Sequence, residues 1–187
     1  MSQSDYEKYE RPEVVVACVI ENKANKVLML EQKKWGFKSP SWKRWVIPGG
    51  HLHGEPVQVL NDKNRDETLL DAMIREIREE TSIIVLDADR SQVHFVGVFT
   101  VKYPDEYYRR AYFIVFLFYY KVPENVTRFR NNSESSAWDW IDVDNASQKP
   151  VCKNSNGDEI NVTSWTVSAL RIVQHWKETQ ELTLEAI

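Results

Sequence analysis

The chain has 187 residues, 42% of them hydrophobic and 28% charged, with a formal net charge of −4; one domain of that length buries a core without disulfide staples. The negative balance excludes a general attraction to nucleic acid or anionic membrane, so an anionic substrate needs local positive charge. The polar start MSQSDYEKYERP lacks a signal-peptide core, the longest apolar run, AYFIVFLFYY, is too short to cross a bilayer, and Cys18 and Cys152 make no disulfide framework. The expectation is a single reduced, cytoplasmic domain over 1–187 with a flexible arm over 1–12.

In chain order, EVVVACVIENKANKVLML predicts strands Val14–Ile20 and Val27–Leu30 around a turn at Asn22–Asn25. WVIP predicts a short strand ended by Pro48, before the pair Gly49-Gly50 and a polar loop over 51–66. A helix is predicted from about Leu69 to Thr81, then a strand over 93–101. RAYFIVFLFYYKV is apolar on both faces, as a central strand covered on both sides must be. AWDWIDV predicts another strand, and TSWTVSALRIVQHW a second helix with Trp165, Ala169, Ile172, Val173 and Trp176 on one stripe. The sum is an α/β fold, a mixed sheet flanked by helices.

The first helix poses the chemical question. Thr68 and Asp71 are spaced as a capping box at its start. Leu70, Met73, Ile74, Ile77 and Thr81 form a stripe expected to be buried, with Glu76, Glu79, Glu80 and Ala72 on roughly the opposite side. Like charges three and four apart destabilise a helix by a few tenths of a kcal/mol per pair, and Arg75 and Arg78 relieve only part of this. A solvated surface face is one explanation. A site for Mg²⁺ or Mn²⁺, hard cations that prefer carboxylate oxygens and substrate phosphates, is the other.

The residues around the helix decide between them. WVIPGG followed by ETLLDAMIREIREETSI resembles the Nudix box of the Nudix hydrolases, Gly-x5-Glu-x7-Arg-Glu-U-x-Glu-Glu-x-Gly-U with U aliphatic. Glu67, seven further residues and the run Arg75 to Ile83 match position by position, except that Ser82 stands where glycine is usual. A second departure is the sixteen residues between Gly50 and Glu67 instead of five. Either Glu55 or Glu67 could fill the first glutamate position, and the intact spacing favours Glu67. The loop insertion over 51–66 costs little, because closure entropy grows slowly with length; gating a pocket and pairing a homodimer are the roles left open for it.

The resemblance implies an α/β/α sandwich and metal-dependent hydrolysis of a pyrophosphate bond in a nucleoside diphosphate linked to another moiety. It implies Glu79, Glu80, Glu76 and the Gly49 carbonyl as metal ligands, Glu76 alternatively as the carboxylate orienting water, and Arg75 as the group holding the glutamates. Glu134, on a loop before a strand, is a candidate base outside the box. The basic and aromatic runs KKWGFKSPSWKRW and KYPDEYYRRAY offer Trp35, Arg44, Tyr103 and Arg109 for a small-molecule nucleotide substrate. Trp35, Trp42 and Tyr107 serve equally as loop packing. His51-x-His53 has no third ligand nearby and reads as loop. A nucleotide-sensing module on the same fold, without turnover, is the rival function.

Overall fold

The computed structural model describes residues 13–32, 44–52, 67–102, 112–123, 135–148 and 150–186. The predicted arm over 1–12 and most of the predicted loop over 51–66 lie outside the described residues. The strands are β1 (Glu13–Glu21), β2 (Lys26–Gln32), β3 (Arg44–Val46), β4 (Gly49–His51), β5 (Val93–Lys102), β6 (Tyr112–Lys121), β7 (Ser135–Asp142), β8 (Val151–Lys153), β9 (Glu159–Asn161) and β10 (Thr183–Ala186). The helices are α1 (Leu69–Thr81), α2 (Val143–Gln148) and α3 (Ser164–Thr179), with a 3-10 helix at Asp87–Gln92.

Eight of these strands form one mixed sheet in the order β10-β5-β6-β1-β2-β3, with β4 on β1 and β7 on β2. β6 runs parallel to β1 along its length and antiparallel to β5, so it is central as predicted. Its side chains alternate between two cores. Val115, Leu117 and Tyr119 join Ala17, Val19, Leu170 and Val173 beneath α3, while Phe118 and Tyr120 join Val16, Cys18, Met73 and Ile77 beneath α1. This is the α/β/α sandwich. Among the described residues no helix is long and apolar enough to cross a membrane.

The β1–β2 turn forms where predicted. Asn22 Oδ1 accepts from the N–H groups of Ala24 and Lys26 at 2.9 and 3.0 Å, and Asn25 takes φ 58°, a left-handed position that asparagine tolerates. Beyond it the two strands diverge, pairing with each other at Glu21 opposite Val27. The segment 44–52 fills the opening: Arg44–Val46 pairs with β2, then Gly49–His51 pairs with β1. The first strand stops before Pro48, as predicted, and a second begins at Gly49, with the Pro48 carbonyl accepting from Cys18 N at 2.9 Å. The run continues into the predicted loop, where Leu52 N donates to Val14 O at 3.2 Å. At the other end of β1, Glu21 is 1% exposed; Lys177 Nζ donates to its Oε2 at 2.7 Å and Lys121 Nζ lies 3.2 Å from Oε1, fastening α3 to the sheet.

The first helix keeps its predicted extent and the second runs on to Thr179, three residues past the prediction, and both roll relative to the predicted stripes. In α1 the buried residues are Ala72, Met73, Ile77 and Thr81, with Leu70 and Ile74 half-buried. In α3 Trp165 and Trp176 sit at the margins, and Thr166 and Leu170 fill the centre. The capping box forms: Asp71 N donates to Thr68 Oγ1 at 3.1 Å, and Thr68 N to Asp71 Oδ2 at 3.3 Å.

Ser82 closes α1 in the left-handed region at φ 61°, its N–H bonding Arg78 O at 3.0 Å. Serine at that geometry carries a Cβ penalty that glycine avoids. Ser82→Gly should therefore raise stability by roughly 1 kcal/mol, a Tm increase of about 2–4 °C for a domain of this size. Thermal melts of the two forms check it; an unchanged or lower Tm would mean the serine side chain makes a compensating contact.

Candidate active site

The alternation of an antiparallel strand explains why β4 can serve as the floor of a site. Within the segment 48–52, the backbone groups of Pro48 and Leu52 face β1, so those of Gly49 and His51 face the opposite edge. There they meet α1. Gly49 N donates to Glu80 Oε2 at 2.7 Å, and His51 O accepts from Arg75 Nη2 at 3.1 Å. By the same alternation the Gly49 carbonyl faces this edge.

The two glycines are required for different reasons. A Cβ on Gly49 would fall 2.4 Å from Val16 O and 2.9 Å from Ala17 Cα, so strand pairing itself excludes a side chain. A Cβ on Gly50 would fall 2.5 Å from the Glu76 carboxylate. That carboxylate therefore occupies the space the second glycine leaves over the strand.

Arg75 organises the acids. Its Nε donates to Glu67 Oε1 at 2.9 Å, and its Nη1 to Glu76 Oε1 at 2.7 Å and to Glu79 Oε2 at 3.2 Å. Burial opposes the guanidinium charge, but the hydrogen bonds to Glu67 and Glu76 outweigh it and raise its pKa above the usual value. The side chain of Glu76 is 12% exposed and that of Glu79 51%. At about 100° per residue, Glu76 and Glu80 fall between Ala72 and Ile77 on the sheet-facing side of α1. They are not on the opposite side as expected, and Ala72, placed beside them, is fully buried. Thr68 and Asp71 hold the start of the helix, where Thr68 Oγ1 donates to Asp71 Oδ2 at 2.6 Å and Arg90 Nη2 bonds Oδ1. Those hydrogen bonds, Thr68 first and Arg90 second, hold the Asp71 carboxyl below its ordinary pKa.

A family model described as NUDIX domain matches residues 11–161. The chain belongs to the Nudix family. Solved Nudix structures match its fold at low identity. The MutT protein of Methanosarcina mazei aligns at TM-score 0.62 and 17% identity over 91% of this chain and 99% of its own. The Nudix domain of Shewanella oneidensis NrtR, solved with ADP ribose, aligns at 0.59 and 13% over 94% and 98%. A Caenorhabditis elegans Ap4A hydrolase, solved as a binary complex, aligns at 0.53 and 19% over 89% and 98%. No curated protein matches.

Of the Nudix-box residues named from sequence, Glu67, Arg75, Glu76, Glu79 and Glu80 lie together around one guanidinium and one strand, with Glu67 bonded to Arg75 Nε. Arg44 is half-buried on β3 opposite Gln32. Trp35, Trp42, Glu55, His53, Tyr103, Tyr107, Arg109 and Glu134 lie outside the described residues. His51 belongs to β4, and its Nε2 bonds Glu13 Oε2 at 2.7 Å. Sequence reasoning missed the His51 carbonyl, a backbone group with no side-chain signal, and Arg90, which lies 19 positions from Asp71.

The donor set suits a hard divalent ion: carboxylate oxygens on one and a half turns, beside a backbone carbonyl edge. Among the described residues no three His, Cys, Asp or Glu side chains are already grouped at metal-binding spacing. In this arrangement Arg75 and the Gly49 N–H hold the carboxylates in place of the expected common point.

The two glycines should respond differently to an added methyl group. Gly49→Ala meets backbone that cannot yield and should cost about 1–3 kcal/mol. Gly50→Ala meets the far end of a flexible side chain and should leave the Tm within a few degrees, while Mn²⁺ affinity falls about tenfold through displaced Glu76. Melting curves and calorimetric Mn²⁺ titration check both; equal destabilisation by the two would show that Gly50 serves packing alone.

Proposed function

We propose that this Nudix chain is a Mg²⁺- or Mn²⁺-dependent pyrophosphohydrolase acting on a nucleoside diphosphate linked to another moiety. The observation that carries the reading is the carboxylate cluster gathered by Arg75 against β4. Glutamates placed on the buried arc of a helix, beside glycines that leave them room, are a costly arrangement for a surface that merely needs charge.

Glu79, Glu80 and Glu76, with the Gly49 carbonyl, would hold the ion. A divalent ion bound there would supply charge that neutralises the pyrophosphate and lowers the pKa of a water, so that hydroxide would attack phosphorus as its bond to the bridging oxygen breaks and the second phosphate leaves. Arg75 holds Glu76 and Glu79 near β4 when no substrate is present. Glu76, the more enclosed of those two, is suited to orienting a water, whereas Glu79 can turn toward the solvent side where a polyanion arrives. Glu80 is anchored through one oxygen to Gly49 N–H, which fixes its carboxylate relative to the strand. Trp35, Arg44, Tyr103 and Arg109 remain the proposed substrate contacts and Glu134 the proposed base, in a single domain over 1–187. A reduced, cytoplasmic setting fits two buried free cysteines.

The test is a substrate panel of ADP-ribose, diadenosine polyphosphates, nucleotide sugars, NADH, dinucleotide-capped RNA and nucleoside triphosphates, each with Mg²⁺ or Mn²⁺. The expected result is release of phosphate-ended products that chelator abolishes. Glu79→Gln and Glu80→Gln should lose turnover by orders of magnitude yet stay folded, since removing a like charge relieves repulsion. Tight binding across the panel without turnover would establish the sensing module instead.

A further inference from the structure

A second set of contacts lies upstream of the carboxylate cluster, and it is made by a residue outside the Nudix box. Arg90 sits on the 3-10 helix Asp87–Gln92, which follows α1 and leads into β5. Its Nη2 bonds Asp71 Oδ1, while Asp71 Oδ2 accepts from both Thr68 Oγ1 and Thr68 N. Both oxygens of Asp71 are thus used, one by the cap and one by Arg90. The residue immediately before this cap is Glu67, the carboxylate that meets Arg75 Nε at 2.9 Å.

We propose that Arg90 is a positioning residue for the carboxylate cluster, holding Asp71 against Thr68 so that Glu67 is presented to Arg75. The proposal deepens the metal-dependent reading above and rests on it for its consequence in turnover. The side chains of Arg90 and Asp71 are 35% and 39% exposed, and an ion pair that open to solvent contributes little to stability. As a structural strut it is therefore nearly dispensable. Its effect is on direction: Asp71 is held by Thr68 at one oxygen and by Arg90 at the other, so loss of Arg90 frees the carboxylate to rotate. Asp71 released from Arg90 can turn away from Thr68, which loosens the first turn of α1 and the peptide carrying Glu67. Arg75 then keeps Glu76 and Glu79 but loses the partner that orients its Nε edge.

The experiment compares the full chain with Arg90→Ala, Arg90→Lys and, as a control, Thr163→Ala, which removes the N-cap of α3, the helix packed on the other core from α1. The first readout needs no metal: the Arg75 Nε–H resonance and its exchange rate with solvent in ¹⁵N-labelled protein. In Arg90→Ala this exchange should speed up roughly two- to fivefold, with partial rescue in Arg90→Lys and no change in Thr163→Ala. The second readout is Mn²⁺ affinity from the free-ion electron paramagnetic resonance signal, expected to fall several-fold in Arg90→Ala and not in the control. Unchanged Arg75 Nε–H exchange in Arg90→Ala overturns the proposal, as does an equal change in Thr163→Ala. If the unaltered protein binds no Mn²⁺ while Arg75 exchange still responds to Arg90, the positioning role stands and the metal reading falls.

Discussion

The structure depends on a single arginine set among four polar partners. Arg75, 15% exposed, donates to Glu67, Glu76, Glu79 and the His51 carbonyl. A guanidinium supplies five donors in a rigid fork, so it can serve carboxylates on two sides and a carbonyl on a third; an ammonium cannot fix those directions. Without it, acids on adjacent helical turns would face one another and the strand in a partly desolvated space. Paired buried charges contribute little net stability, but removing one partner leaves the others uncompensated at several kcal/mol. Arg75 is thus the reason the acids can stand inward at all.

The fold provides the other half of the arrangement. Because β1 and β2 diverge after their turn, a separate segment must close the sheet between them, and 44–52 does so by changing partners around Pro48. A strand that has just crossed from one partner to another presents alternate backbone groups to an otherwise open edge. α1 lies along that edge, and the two glycines let carboxylates approach the backbone. The site is therefore where the sheet is repaired, and the same feature supplies room, donors and a carbonyl.

What the sequence made legible was local. The Asn22–Asn25 turn, the Thr68–Asp71 cap, the double-faced apolar pattern of β6 and the ends of α1 follow from neighbours within a few positions, and each formed where expected. The box spacing likewise identified the acids because they share one helix. The roll of α1 was not legible, since the sheet rather than the helix decides which arc is buried. Counting apolar residues placed Leu70 and Ile74 at the centre; the chain buries Ala72 instead and leaves those two half-covered. β8, β9, β10 and α2 are too short to carry a periodic signal. The partner change at Pro48 and the bond from Arg90 to Asp71 are tertiary choices, invisible to any pattern of spacing.

The most direct test of the central claim is anomalous scattering from a crystal soaked in Mn²⁺. The account predicts a peak between α1 and β4, with Glu79 and Glu80 turned to the ion and Glu76 released from Arg75 or sharing it. Manganese bound elsewhere, with the three glutamates still held by Arg75 and Gly49 N–H, would contradict it.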